Sequence, residues 1–242
     1  MSTQTARTQY EATDPMPEEY RDLLIRLLRI QADTETYLLF PKGWAQYAHI
    51  ANLAPTLEDR VKVAQYLAEE TRHGLIAYKL LRDLGVEVTE QEFEGEHRNL
   101  YVFDKWLESW TEFGLFNFLA DRVGRFQAEE WIDSSYLPLA RVAPAIVRDE
   151  TGHGNAGFYN LRRICKTPEG RADVQRLLPQ WYATALDMFG RSDSRRSVRY
   201  VELGLKRRTN GEARQAFVRE VEPLIRELGL DVPDVTSLRK YL

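Results

Sequence analysis

Two stretches decide the fold: Glu69-Glu70-Thr71-Arg72-His73-Gly74 and, 80 residues further on, Asp149-Glu150-Thr151-Gly152-His153-Gly154. Four of the six positions are identical and a fifth is acidic in both, so the second reads as a repeat of the first. Residues three apart on a helix point to the same side, and each stretch therefore presents a carboxylate and an imidazole together: Glu70 with His73, and Glu150 with His153. Both pairs interrupt apolar stripes. Val63, Tyr66, Leu67, Ala77, Leu80 and Leu81 share the face of the first, and Val142, Ala143, Ile146, Val147 and Leu161 that of the second. Burying an unpaired carboxylate is costly, and a divalent metal is the partner that Glu and His at this spacing suit best.

Outward from these stretches the chain reads as all-α. Long segments of helical period are separated by Pro and Gly clusters, with few alternating runs. Helices are expected at about 16–40, 55–85, 109–132, 136–164 and 167–190, then at 195–208 and 210–229, with 42–54 a partly helical connection and 86–103 a mixed connector. Two Glu-x-x-His helices belong to a four-helix bundle in which each of the other two helices supplies one more carboxylate. In an antiparallel pair, residues at one level sit equally far from the turn. Glu35 against residues 70–73 puts that turn at 52.5–54, within Asn52-Leu53-Ala54-Pro55. Asp121 against 150–153 puts it at 135.5–137, on Ser135-Tyr136-Leu137, whereas Glu129 would place it inside the next helix. The expected ligand and catalytic set is therefore Glu35, Glu70, His73, Asp121, Glu150 and His153.

Charge supports this set. Four carboxylates and two neutral imidazoles balance two divalent cations, and oxygen-rich ligation with one His per metal suits iron, with manganese the alternative, rather than structural zinc. Glu69 and Asp149 are candidates to accept hydrogen bonds from the distal N–H of a ligand His, or else are solvated helix-face charges. The fold class is a ferritin-like four-helix bundle with additional C-terminal helices, divided into a flexible 1–15 segment, a 16–235 metal-binding domain and a 236–242 tail.

Composition excludes other classes. Lys and Arg total 33 against 37 Asp and Glu, a net charge of -4, which argues against a nucleic-acid or anionic-membrane binder held by bulk charge. The polar start and the lack of a spanning apolar run point to a cytoplasmic protein without a membrane segment. Cys165 is the single cysteine and reads as a packed thiol; His49 and His97 read as ordinary connector residues. The basic stretch of Arg191, Arg195, Arg196, Arg199, Lys206, Arg207 and Arg208 reads as a solvated or partner-facing surface, with a phosphate-bearing substrate such as an acyl-CoA the alternative. No phosphate loop or Rossmann glycine pattern occurs.

Met16-Pro17-Glu18-Glu19-Tyr20, Pro41-Lys42-Gly43 after Glu35, Ala54-Pro55-Thr56-Leu57, Glu70-Thr71-Arg72-His73-Gly74, Asp121, Glu150-Thr151-Gly152-His153, Met188-Phe189-Gly190 and Leu228-Gly229-Leu230-Asp231-Val232-Pro233-Asp234 together resemble the catalytic A subunits of ring 1,2-phenylacetyl-CoA epoxidases. The resemblance runs in order from about Met16 to Asp234 and carries the same six ligands. It implies a di-iron centre that inserts one oxygen atom of O2 into the aromatic ring of a CoA thioester such as phenylacetyl-CoA. It also implies a ferritin-like C-type subunit together with a small B-type subunit in a homo- or hetero-oligomer. A separate reductase would deliver electrons from NADPH through FAD and an iron–sulfur cluster. The chain departs from that family at Lys42, where the family has an acidic residue, and at Tyr66, where it has a lysine. The rival readings are a ferritin-like iron oxidase or storage protein, a related di-iron oxygenase with another substrate, and a non-catalytic scaffold subunit, which typically loses ligands.

Overall fold

The protein, analysed as a computed structural model, is described over residues 8–35, 41–87 and 105–241, the side chains of 33–35, 41 and 42 excepted. The elements are α1 (Glu18–Glu35), α2 (Pro41–Leu53), α3 (Leu57–Asp83), α4 (Trp110–Leu115), α5 (Arg122–Glu129), α6 (Leu137–Ile164), α7 (Pro168–Asp187), α8 (Arg195–Glu202) and α9 (Asn210–Glu227). No β-strand occurs among the described residues. The expected connection at 42–54 is helical almost throughout as α2. Most of the 86–103 connector, including His97, and the end of the first expected helix at 36–40 lie outside the described residues.

Helix starts follow local chemistry. The hydroxyls of Thr56, Ser109 and Thr167 accept from the backbone N–H of Asp59, Glu112 and Gly170, each at 3.1 Å, and so satisfy donors the helix cannot. Thr209 and Glu212 form a reciprocal capping box at α9. Gly85, at φ +70°, turns the chain out of α3. One expected boundary moves: α8 stops at Glu202 rather than 208, because Gly204 takes φ +75° and Leu205 N–H returns to the carbonyl of Tyr200 at 2.9 Å. Seven residues, 203–209, thus separate α8 from α9.

The bundle consists of α1 packed on α3, and of α4–α5 packed on α6, with α3 against α6. Its apolar interior falls into two clusters. One joins Leu24 and Leu28 of α1, Leu80 and Leu81 of α3, and Leu139, Ala143 and Ile146 of α6. The other joins Val63 and Tyr66 of α3, Phe113 to Phe126 of α4–α5, Phe158 and Leu161 of α6, and the inner faces of α7 and α9. On both α3 and α6 the Glu-x-x-His pair falls between residues of the first cluster and residues of the second. Ahead of α1, Tyr10 bridges to the 135–137 turn through its N–H to Ser135 O and its carbonyl to Leu137 N, both at 2.9 Å. At the other end, Asp187 accepts from the backbone N–H of Lys240 at 2.7 Å and of Tyr241 at 3.1 Å.

Between α4 and α5 the rod is a π-helix, Phe116–Asp121, not the continuous α-helix expected from the apolar period. The wider turn bulges towards α6, and only a glycine fits opposite: a Cβ on Gly157 would lie 2.3 Å from Phe118 N and 2.7 Å from Asn117 C. Arg122 is buried behind the bulge. It donates to Phe118 O at 3.2 Å and to Gly154 O at 3.1 Å, and pairs with Glu220 of α9 at 2.6 Å. Gly157→Ala is therefore expected to lower stability by about 1–3 kcal/mol, as overpacking against backbone does. Gly152→Ala, where an added Cβ meets nothing within 4 Å, should cost nothing by that route; urea denaturation of the two variants checks the contrast.

Candidate metal centre

The repeated stretches meet across α3 and α6. His153 Nε2–H donates to Glu69 Oε2 at 2.7 Å, and His73 Nε2–H to Asp149 Oδ2 at 3.3 Å. A carboxylate only accepts, so the distal nitrogen of each ring carries a proton and Nδ1 is the atom turned towards the cluster. The pairing is crossed: each histidine is oriented by the acidic residue that precedes the glutamate of the opposite helix. Arg72 also donates to Asp149. Asp149 stays below the ordinary carboxylate range: burial raises its pKa, and the His73 and Arg72 contacts more than reverse that.

The Nδ1 side of both rings faces buried carboxylates. His153 Nδ1 lies 2.8 Å from Glu70 Oε1. His73 Nδ1 lies 3.6 Å from Glu70 Oε2 and 3.6 Å from Glu150 Oε1. Glu70, Glu150 and His153 each offer a ligand atom within 4.8 Å of the others, all three buried, and this group has the donor set of a metal site. Glu150 Oε2 is buried without a hydrogen-bond donor among the described residues. Gly124 on α5 makes room for it, since a Cβ there would come within 3.0 Å of that oxygen.

Asp121 ends the π-helix and is 7% exposed, with Asn117 Nδ2 donating to its Oδ2 at 2.5 Å. Burial and the charges of Glu150 and Glu70 hold its carboxyl well above the usual range. Burial and Glu70 likewise push Glu150 up, to about 7. Glu70 goes the other way, because the two imidazoles outweigh its burial. His153 is raised to about 10: burial opposes the charged ring, and the carboxylates of Glu70, Glu150 and Asp121 outweigh it. The cluster thus needs added positive charge, supplied by protons or by metal ions. Glu35 is the last residue of α1, and its side chain lies outside the described residues. Glu129 and Glu130 turn elsewhere, to Arg125 and Arg208 at 2.6 Å.

A cavity of about 340 Å³ adjoins the cluster between α3, α4 and α6. Tyr66 and Asn117 are in its wall. Tyr66 packs against the His153 ring at 4.3 Å between centroids, and burial keeps its phenol neutral, with a pKa pushed up to about 12. Val63, Phe113 and Ala156 make the interior apolar, while Lys62 and the Asp59–Arg163 pair stand among the polar lining residues. Asn117, Gly124 and Arg122 belong to the site or its wall without being singled out by the sequence. The four-residue spacing of Asn117 to Asp121 is the one signal that reveals any of them.

The sequence profile of the family described as phenylacetic acid catabolic protein matches residues 1–241. The chain belongs to that family. Among relatives of known name, it is 30% identical over 234 residues to the A subunit of 1,2-phenylacetyl-CoA epoxidase from Escherichia coli (strain K12), covering 94% of this chain and 74% of that protein. It is 29% identical over 227 residues to benzoyl-CoA oxygenase component B of Aromatoleum evansii, covering 81% of this chain and 47% of that protein. Both relatives are named as one part of a larger enzyme. No helix among the described residues is long and apolar enough to cross a membrane. The remaining sequence readings of single residues are met with simple packing. Cys165 is buried, which raises its pKa, and His49 stacks on Trp106 at 5.2 Å.

Two outcomes follow for metal binding. Glu69→Ala, which removes the acceptor that orients His153, should weaken divalent-metal affinity about 10–100-fold without changing helicity, as chelator competition would measure. Because the His153 ring holds its second proton well above pH 7, adding a divalent ion at pH 7 should release protons, detectable in a pH-stat; ligation without proton release would show that this imidazole is no ligand.

Proposed function

We propose that this protein is the oxygen-activating component of a multicomponent di-iron monooxygenase acting on an aromatic acyl-CoA thioester such as phenylacetyl-CoA. The observation that carries this reading is the doubled, buried Glu/His cluster beside an apolar cavity, in a chain of the phenylacetic acid catabolic protein family. Glu35, Glu70, His73, Asp121, Glu150 and His153 would hold two iron ions; manganese is the alternative loading. Bound iron supplies reduction of O2 and insertion of one oxygen atom into the ring of the substrate.

The chain's own residues do the rest. Glu69 and Asp149 fix the tautomer and direction of the two imidazoles, and Asn117 holds Asp121 through a hydrogen bond. Tyr66, Val63 and Phe113 give the acyl group an apolar chamber next to the cluster. Lys62 places positive charge on the same cavity, where the phosphates of a CoA chain can stay in water. Electrons come from a separate reductase carrying FAD and an iron–sulfur cluster and oxidising NADPH, and C-type and B-type subunits complete the assembly, as the resemblance of the sequence implies.

The test is turnover of iron-loaded protein with its partner subunits and reductase, NADPH and ¹⁸O2, comparing phenylacetyl-CoA with benzoyl-CoA. One labelled oxygen in the product is expected, and no oxygenated product from either thioester overturns the reading. Lys62→Ala should raise KM for the thioester several-fold with kcat little changed, since it touches the carrier and not the reacting ring.

A further inference from the structure

A second cavity, of about 240 Å³, opens on a different side of the bundle, between α1, the end of α5, and the chain from the end of α7 to Lys206. Leu27, Ile30 and Phe189 give it an apolar lining. Its charge is unbalanced. Within the basic stretch, Arg191 pairs with Asp193, Arg199 with Glu19 and Glu202, Arg207 with Asp133, and Arg208 with Glu129 and Glu130. Among the described residues, Arg195, Arg196 and Lys206 form no ion pair, and of these three Arg196 and Lys206 line the cavity, Arg196 standing also in a surface groove with Glu18, Glu19 and Asp22.

Lys206 is the more telling of the two. The carboxylate whose charge acts on it, Glu130, already accepts from Arg208 N–H at 2.5 Å and from Arg208 Nε at 2.6 Å. Burial lowers the Lys206 pKa, as happens to a cation without a counter-ion close by. Asp187, the carboxylate in the wall, is committed to the backbone of Lys240 and Tyr241 and to Arg239. Trp131 and Tyr200 also stand in the wall.

We propose that this cavity is a binding site, separate from the Glu/His cluster, for a small carboxylic acid anion with an apolar body. Lys206 and Arg196 answer its charge, and Leu27, Ile30 and Phe189 cover its hydrocarbon part beside the Trp131 ring. A lone inorganic anion fits poorly, because the volume is several times the ~30 Å³ share of one water molecule and most of its wall would stay uncovered.

Benzoate is the probe, followed through the indole N–H signals of ¹⁵N-tryptophan-labelled protein, with the Trp131 signal among the five assigned by Trp131→Phe. A saturable shift of the Trp131 signal is expected. Benzamide, the same shape without charge, should bind at least tenfold more weakly, and so should benzoate to Lys206→Met, while Lys206→Arg retains binding. Glu150→Gln, altered in the metal cluster, should bind benzoate as the parent does, which separates this site from the oxygenation chamber. An unmoved Trp131 signal, equal binding of benzamide, an unaffected Lys206→Met variant, or an equal shift with inorganic phosphate overturns the proposal. The benzamide comparison uses the unaltered chain and so stands even if the Lys206 variants fold poorly.

Discussion

Carboxylates placed inside an apolar bundle must be neutralised, and the middle of this structure is organised by that demand. Glu70, Glu150 and Asp121 are each less than a tenth exposed, and they lie between two apolar clusters. The two histidines answer part of the charge, and they are held for it from behind by Glu69 and Asp149. What remains, three buried carboxylates of which one Glu150 oxygen has no donor among the described residues, is an arrangement that favours a bound cation over an empty core.

The helices around this layer are shaped to admit it. A regular α-helix from Trp110 to Glu129 would carry no bulge against α6; the π-helix at Phe116–Asp121 makes one, and the absence of a side chain at Gly157 accepts it. Gly124 clears a volume for the Glu150 carboxylate in the same way. Buried Arg122 then ties the bulge to α6 and α9, so the C-terminal helices brace the site's supporting wall without supplying any of its ligand atoms. The apolar chamber beside Tyr66 is lined by residues of α3, α4 and α6 together with Asn117 of the π-helix.

The same accounting of charge explains the basic stretch. Read as sequence, it is a solvated or partner-facing cationic surface; folded, four of its seven cations are already paired with carboxylates of the chain itself. A run of like charge therefore says little about binding until its counter-ions are located. The two cations that line a cavity without an ion pair of their own are distinguished only by the fold.

By itself the sequence determined the helical class and the two Glu-x-x-His pairs, because both are set by residues within a turn or two of each other. It also favours Asp121 over Glu129 by the level at which antiparallel helices match; in the fold the charges of Glu150 and Glu70 act on the Asp121 carboxyl, while Glu129 pairs with Arg125. The π-helix was not legible, since a helix one residue wider per turn preserves the apolar run Phe116 to Ala120. Nor was the crossed pairing of His73 with Asp149 and His153 with Glu69: two helices carrying the same motif are equally compatible with direct and crossed partners. Only their separation and rotation in three dimensions decide which nitrogen reaches which carboxylate, and where cavities open between them.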